Sequence, residues 1–368
     1  MRILYFSRDY TTHDHRFLSA LAKTEHKVFY LRLEKRGHTL EDRALPPEIE
    51  QVPWKGGQRP AKLSQGLNLL ADLTRVIQRV QPDLIHAGPI QRSAFLVALS
   101  GFKPLVSMSW GYDLIQDAKR SALWRWATRY TLKRSAALVG DSEIIRQLAI
   151  GYGMHPEHIV TFPWGVELER FNVPTLEHSN IETFTLLSTR GWEPIYGVEV
   201  IAKAFVRASR QLKENHGPQL RLLMLGNGSQ ASMLRRIFQE GGVLEQVLMP
   251  GQIGQADLPR YYHMADLYLS ASHSDGASIS LLEALASGLP ALVSDIPGNR
   301  EWITPGETGW WFADGDISAL TQVILDAVAR HDQLPEMSRR ARWLAELRAD
   351  WNKNFLELDK AYQLALRG

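Results

Sequence analysis

Two acids eight residues apart, Asp275 and Glu283, bracket the start of an apolar helical run in the segment HSDGASISLLEALASGLP, His273–Pro290. A strand pattern (DLYLSAS) ends just before it, a polar loop follows, and the helix opens near Ala277–Ser280. Gly276, Ala277, Ser278 and Ser280 are small enough to let a ligand come close to backbone N–H groups. A helix N-terminus carries about half a positive charge and unpaired N–H donors, which suits a pair of linked phosphates. Glu283 falls about two turns beyond the loop that holds Asp275. One carboxylate can therefore meet the hydroxyls of a sugar while the other meets those of a ribose. The plainer alternative is a helix with an acidic N-cap and an incidental glutamate.

The elements that must position these acids form a repeating pattern. In the first half, short apolar runs at Arg2–Ser7, Lys27–Arg32, Asp83–Ala87, Pro104–Ser109, Ala136–Gly140 and His158–Pro163 alternate with helical stretches such as His15–Lys23, Lys62–Val80 and Ser121–Arg134. The polar, aperiodic Asn172–Glu182 reads as a linker. The alternation then restarts. Strands are predicted at Thr183–Ser188, Leu220–Gly226, Val247–Pro250, Asp266–Ser270 and Pro290–Ser294, and helices at Val198–Leu212, Ser229–Gln239, Leu258–Met264, Ile279–Ala286 and Ile317–Ala329. Such alternation implies an α/β fold with parallel sheets covered on both faces. In doubly wound sheets ligands bind beyond the carboxyl ends of the strands. Expected units are residues 1–171, 172–350 and a final helical stretch, 351–368, which crosses back to the first domain.

Composition bounds the function. The 368 residues exceed what one core usually serves, so two domains are expected. The absence of cysteine excludes disulfides, thiolate catalysis and Cys-based metal sites. No apolar run is long enough to span a bilayer, and the opening MRILYFSRDY lacks a signal-peptide pattern, so a cytoplasmic location is expected. The net charge of +2 hides an asymmetry. Residues 1–170 hold 24 Lys/Arg against 17 Asp/Glu, and the remainder holds 18 against 23. A basic first half suits an anionic partner. Nucleic acid is disfavoured, because the cations follow no recognition motif. Residues 118–134 (AKRSALWRWATRYTLKR) carry six cations, no acid, and Trp124, Trp126 and Tyr130. On a helix they form either a basic aromatic surface for an anionic membrane, peripherally bound, or a solvated face with core-packed tryptophans.

With these residues in view, the chain resembles the retaining family 4 glycosyltransferases, which have the GT-B fold of two Rossmann-like domains facing each other across a cleft. That family's hallmark is a Glu, seven residues, a second Glu and a run ending in Gly-x-Pro. The counterpart here is Asp275 through Glu283, then Ala284, Leu285, Ala286, Gly288 and Pro290, with Asp in place of the first Glu. Further elements follow in family order: Phe162–Phe171 at the domain entrance, Leu223–Gly228 as the glycine-bearing loop, Val247–Ile253 beside the base, and Pro297–Glu301. The resemblance implies a nucleotide diphosphate sugar as donor, UDP favoured and GDP the nearest alternative. It also implies a glycan, lipid-linked or small-molecule acceptor and no metal or other cofactor.

The resemblance assigns Arg190, Asp275 and Glu283 to catalysis, and Gly226, Gly228, Ile253, Ser278, Ile279 and Ser280 to the donor. It places an Arg and a Lys on the diphosphate; Arg190 fills the first position, but Ile195 stands at the second. Without the resemblance Arg190 is a loop arginine at the surface. In the first domain, His13, Asp14, His15 and Arg16 occupy the family's acceptor loop, either capping the next helix with Asp14 as N-cap or touching the acceptor. A metal site at this cluster is disfavoured, since no supporting ligand has a fixed spacing. Trp110 replaces a family His in Ser109–Asp113, which excludes a general base there; it either covers or stacks on the sugar, or is a core aromatic. Asp113 keeps its family position as a sugar contact, and His86, at a strand's carboxyl end, is a further substrate contact. Two rivals share this architecture: a UDP-sugar 2-epimerase, for which no carboxylate–His set is evident, and a non-catalytic nucleotide-sugar-binding protein.

Overall fold

A computed structural model describes residues 1–35, 41–173 and 182–367. The chain divides into two compact units, Met1–Phe162 with Phe355–Gly368, and Pro163–Asn354. In the first, strands β1 (Arg2–Ser7), β2 (Lys27–Arg32), β3 (Glu50–Gln51), β4 (Leu84–Ala87), β5 (Leu105–Met108), β6 (Ala137–Gly140) and β7 (Ile159–Thr161) form one sheet in the order β3-β2-β1-β4-β5-β6-β7. Every described pair is parallel. β1 pairs with β2 from Arg2↔Lys27 and with β4 from Ile3↔Leu84, so the direction of winding reverses between β1 and β4.

Apart from the exposed edge strand β3, the strands are largely apolar runs because helices cover both faces. Leu69, Leu73, Val76 and Val80 recur at helical spacing along Gly66–Val80 and join the core with Leu4, Phe6 and Ile85. The last helix, Glu357–Arg367, buries Leu358, Ala361, Tyr362 and Ala365 within this same first unit.

The second unit repeats the plan. Strands β8 (Thr183–Ser188), β9 (Gln219–Leu225), β10 (Val247–Gly251), β11 (Leu267–Ser270), β12 (Ala291–Ser294) and β13 (Gly309–Phe312) lie in the order β10-β9-β8-β11-β12-β13, all parallel, with the reversal between β8 and β11. Helix Val198–Glu214 packs Ile201, Phe205 and Ala208 against Leu186, Leu222 and Leu269 of the sheet.

Several boundaries differ from expectation. The first unit ends at Phe162, nine residues before position 171. The reason is a bridge: Val166 pairs with Asp350, its N–H donating to the Ala349 carbonyl at 2.7 Å, which ties the entrance segment to the second unit. Of the linker, residues 174–181 lie outside the described residues. The stretch 351–368 is two helices, Trp351–Asn354 in the second unit and Glu357–Arg367 in the first. Strands β3 and β13, the helix Leu334–Arg348 and the π turn Ile90–Ala94 were not anticipated.

Candidate functional site

At the reversal of the second sheet, the loops after β8 and β11 converge on one guanidinium. Arg190, two residues beyond β8, donates from Nη1 to Ser278 Oγ (2.8 Å) and Ser280 Oγ (3.2 Å), and from Nη2 to Asp275 Oδ2 (2.6 Å). Its Cζ lies 4.2 Å from the centre of the Tyr196 ring. The pair is largely withdrawn from solvent, with side-chain exposures of 12% and 20%. Burial lifts the Asp275 carboxyl above its ordinary value, with the Arg190 charge pulling the other way. Burial also works against the charged Arg190, yet Asp275 and the surrounding tyrosines hold the guanidinium more firmly protonated than usual.

Ser278 is the N-cap of helix Ile279–Ala286, yet its side chain makes no capping bond and turns to Arg190 instead. The first turn's N–H groups therefore have no side-chain cap. Five residues after the cap, buried Glu283 accepts a hydrogen bond at 2.8 Å from the Tyr262 hydroxyl, which also lies 3.1 Å from the Ser280 carbonyl and 3.2 Å from Thr189 Oγ1. Burial first, then the Glu283 charge, keeps this phenol far above its ordinary pKa and so a donor. Tyr268, in the middle of β11, places its hydroxyl 2.7 Å from Ser280 Oγ.

Two glycines make the loops fit. Gly226 has φ +124°, and a Cβ there would stand 2.7 Å from the Arg190 carbonyl. Gly298, in the short helix Pro297–Arg300, lies under the Asp275 loop, where a Cβ would come within 2.4 Å of the Gly276 carbonyl and 2.6 Å of that of Asp275. Gly228 packs equally closely on the Trp192 carbonyl. Ile253, half-buried beyond β10, joins the cluster that contains Leu223, Leu225 and Tyr262. The structure thus gathers Arg190, Asp275, Ser278, Ser280 and Glu283, with Ile279 in the helix's first turn. Sequence reasoning missed Tyr262, Tyr268, Thr189 and Tyr196. A buried tyrosine hydroxyl needs a partner, so the two tyrosines flanking the Ala265–Asp266 step were a usable signal.

The first unit sorts its expected contacts differently. His13 and Trp110 come together, ring centres 5.3 Å apart, both half-buried beyond β1 and β5, so Trp110 is not a core aromatic. Arg16, also half-buried, is on the same helix, Thr12–Leu21. Asp14 is not its N-cap. Thr11 caps the helix and Asp14 closes the box from the third position, its Oδ2 accepting the Thr11 N–H at 2.9 Å; burial lifts this carboxyl to about 7.

His86 is fully buried within the unit. Its Nδ1 lies 2.8 Å from the Tyr362 hydroxyl of the last helix and its ring 5.0 Å from that of Tyr5; burial lowers its pKa to about 3. It sits under a helix, out of reach of substrate. Asp113 is likewise buried, accepting from Ile90 N (2.9 Å), Leu114 N (3.0 Å) and Ser109 Oγ (2.6 Å), and burial lifts its pKa to about 6. It staples the loops after β4 and β5 together, which accounts for an acid there without a sugar. On helix Ala122–Arg134 the tryptophans are not core-packed: Trp126 is 50% exposed, and half-buried Trp124 has the guanidiniums of Arg92 and Arg120 over its ring. Among the described residues no His, Asp and Glu side chains gather as a metal site, and no helix is long and apolar enough to cross a membrane.

Two doubly wound parallel sheets, one with an arginine facing an uncapped helix start at its reversal point, define an α/β protein of the GT-B fold class. The same fold is seen in sucrose-phosphate synthase from Thermosynechococcus elongatus (TM-score 0.80, 16% identity, covering 99% of this chain and 98% of that one). It is also seen in Anabaena HepE in complex with UDP-glucose (TM-score 0.78, 17% identity, 99% of each). Residues 11–170 match the model of Glycosyltransferase Family 4, and residues 187–343 that of Glycosyl transferases group 1. The chain belongs to the family 4 glycosyltransferases. The GtfA subunit of the UDP-N-acetylglucosamine–peptide N-acetylglucosaminyltransferase from Streptococcus gordonii is 32% identical over 218 residues, 57% of this chain and 40% of that protein. The chain spans only about two fifths of such relatives.

Proposed function

We propose that the chain transfers a hexosyl group from a nucleotide diphosphate sugar, with UDP-sugars favoured, to a glycan, lipid-linked or small-molecule acceptor, with retention at the anomeric carbon and without a metal. The observation that carries this reading is the Arg190 fork, aimed from β8 across the uncapped start of helix Ile279–Ala286. In this reading a diphosphate takes the donors that now hold Asp275 and the two serines, and Asp275 is released to the sugar hydroxyls. Tyr262 keeps Glu283 oriented toward the ribose. Gly226, Gly228 and Ile253 border the nucleotide.

In the reaction, the bond from the anomeric carbon to the phosphate oxygen breaks as the acceptor oxygen bonds to that carbon. The acceptor's proton passes to the departing phosphate oxygen on the same face. Charge developing on the leaving group is met by Arg190 and the first-turn N–H groups, donors of the kind worth about 3 kcal/mol each. Ile195 supplies no charge, so more of this work falls on Arg190. The favoured UDP agrees with the UDP-N-acetylglucosamine for which the Streptococcus relative is named and with the UDP-glucose held by HepE.

A thermal-shift screen over UDP-, GDP- and ADP-sugars tests the reading, because a ligand at a hundred times its Kd adds about 2.7 kcal/mol. A shift with one sugar nucleotide, lost in Arg190→Ala, is expected. No shift with any of them refutes it. Slow release of free sugar from that donor without acceptor separates a catalyst from a binding protein. Recovery of an epimerised nucleotide sugar would favour the epimerase.

The location proposed is cytoplasmic, with reversible docking on an anionic membrane. Leu123 and Trp126 support it, exposed among Arg125, Arg129 and Lys133. Sedimentation with anionic liposomes at low salt is the test; a protein that stays in the supernatant ends the idea.

A further inference from the structure

The two units share a plan, and the likeness extends to what stands at each reversal point. In the second unit, the arginine after the first strand faces the loop after the fourth. In the first unit, Arg8 follows β1 directly, and Arg92 lies in the Ile90–Ala94 turn after β4. These are the two strands between which the winding reverses, the position where open α/β sheets hold ligands.

The partners of the two arginines differ. Arg8 Nε donates to Glu34 Oε1 at 2.5 Å, and the other oxygen of Glu34 accepts the Ala61 N–H at 2.9 Å, so this acid is engaged by the fold. Arg92 has no such acid. Its Cζ lies 4.9 Å from the centre of the Trp124 ring, and Arg120 lies over the same ring at 5.4 Å. Arg92 Nε is shut off from solvent without a hydrogen-bond partner, and its guanidinium makes no ion pair among the described residues. Asp117 feels the charges of Arg92, Arg120 and Arg8 together without pairing closely with any of them. The Tyr112 hydroxyl stands beside Arg8.

Three guanidiniums thus converge against two carboxylates, one of them already engaged. A cation left without hydrogen bonds in a sheltered place is unfavourable unless something completes it. A single carboxylate would satisfy one arginine. A phosphate or diphosphate offers oxygens in several directions and matches the guanidinium fork.

Resting on the proposed transferase reading, we infer that the reversal point of the first unit binds a phosphate or diphosphate group carried by the acceptor, held by Arg92 and Arg120 with Arg8 as the third cation. The acceptor is then an anionic molecule, and the family's sugar-binding position at Asp113 serves here as a brace beneath the phosphate loop. The Trp124 ring takes the place of an acidic partner beside Arg92, which leaves its donors for the ligand.

The test titrates inorganic pyrophosphate into the full chain by calorimetry, with UDP binding measured in parallel. Wild-type protein is expected to take up pyrophosphate at two sites, of which Arg190→Ala removes one and Arg92→Ala the other. Affinity at the second is expected to fall by about tenfold or more in Arg92→Ala. Arg92→Gln and Arg120→Ala carry the test if Arg92→Ala fails to fold, and Arg92→Lys should recover part of the affinity. UDP binding should be unchanged in all the Arg92 variants. Pyrophosphate binding indifferent to Arg92 and Arg120, or absent from the wild type, overturns the inference even where UDP binds. Failure of UDP, GDP and ADP alike to bind, with the Arg92-dependent site intact, instead overturns the donor reading.

Phosphatidylcholine vesicles containing phosphatidic acid form the second arm. Capture that weakens in Arg92→Gln assigns the group to a lipid headgroup, whereas pyrophosphate binding without such capture assigns it to a soluble acceptor.

Discussion

Replacing Tyr262 with Phe removes one oxygen from the second unit and leaves the ring where it is. The ring stands edge-on to Phe171, centres 5.7 Å apart, and 6.3 Å from Tyr268, and none of that packing needs the hydroxyl. What is lost is the donor 2.8 Å from Glu283 Oε2 in a fully buried setting. A hydrogen bond to a charged group contributes about 1.5–3 kcal/mol, and its loss leaves a buried carboxylate less well satisfied. For a unit of this size that corresponds to a fall in Tm of about 3–12 °C. The neighbouring Tyr261→Phe, at a half-buried position, is the control and should stay within about 0.5 kcal/mol.

Scanning calorimetry gives the stability term, and titration of the sugar nucleotide that binds best gives the functional one. If Tyr262 orients Glu283 toward the donor, affinity should weaken by about tenfold, equivalent to about 1.4 kcal/mol. A variant that melts within about 1 °C of wild type and binds the donor equally well would refute the role given to this hydroxyl. Lower stability with unchanged affinity would leave it a purely structural bond.

Other outcomes follow from the same geometry. Arg190→Ala leaves Asp275 buried without its counter-charge and should cost about 3–5 kcal/mol in urea unfolding as well as the donor. Arg190→Lys keeps the charge but lacks the fork for two serines and an acid, so it should fold better yet bind weakly. Gly298→Ala drives a methyl into two carbonyls of the Asp275 loop; a destabilisation of about 1–3 kcal/mol with loss of donor binding is expected, and normal binding by calorimetry would contradict the close approach.

His86 gives a pH signature. Its pKa is lowered to about 3 by burial, so below the ordinary value of about 6.5 the unfolded chain takes up a proton that the folded one refuses. Stability is therefore lost as pH falls from about 6.5 toward 3, by about 2 kcal/mol at pH 5. Asp14 and Asp113, lifted to about 7 and 6, shift the curve the opposite way, gaining stability as pH falls. The difference between wild type and His86→Gln isolates the histidine, and identical pH–Tm slopes would rule the effect out.

The parallel sheets were legible because strands buried on both faces carry uninterrupted apolar runs, as in ILYF of β1 and ALV of β12. Elements without that signal went unseen. Glu50–Gln51 is two residues long, and Leu334–Arg348 buries only Met337, Ala341 and Ala345 among arginines and glutamates. At the candidate site the helix start and the acid spacing were legible because local sequence builds them. The Arg190–Asp275 pair joins residues 85 apart, and nothing local announces it. His86 shows the limit of reasoning from strand ends. The carboxyl end of β4 was read correctly, but successive side chains point to opposite faces, and this one faces the helix that carries Tyr362. Position along a strand does not tell which side a residue serves.

That helix also fixes an order of events during synthesis. Residues 1–162 are synthesised before the helix that supplies Tyr362 to their core, with all of Pro163–Asn354 made in between. The usual sequence, in which the amino-terminal domain matures first, is therefore inverted. The middle of the polypeptide can complete its own core while the opening portion still exposes the apolar surface around His86. A released fragment ending at residue 354 should accordingly be cut by protease within residues 1–162 and resist it within Pro163–Asn354.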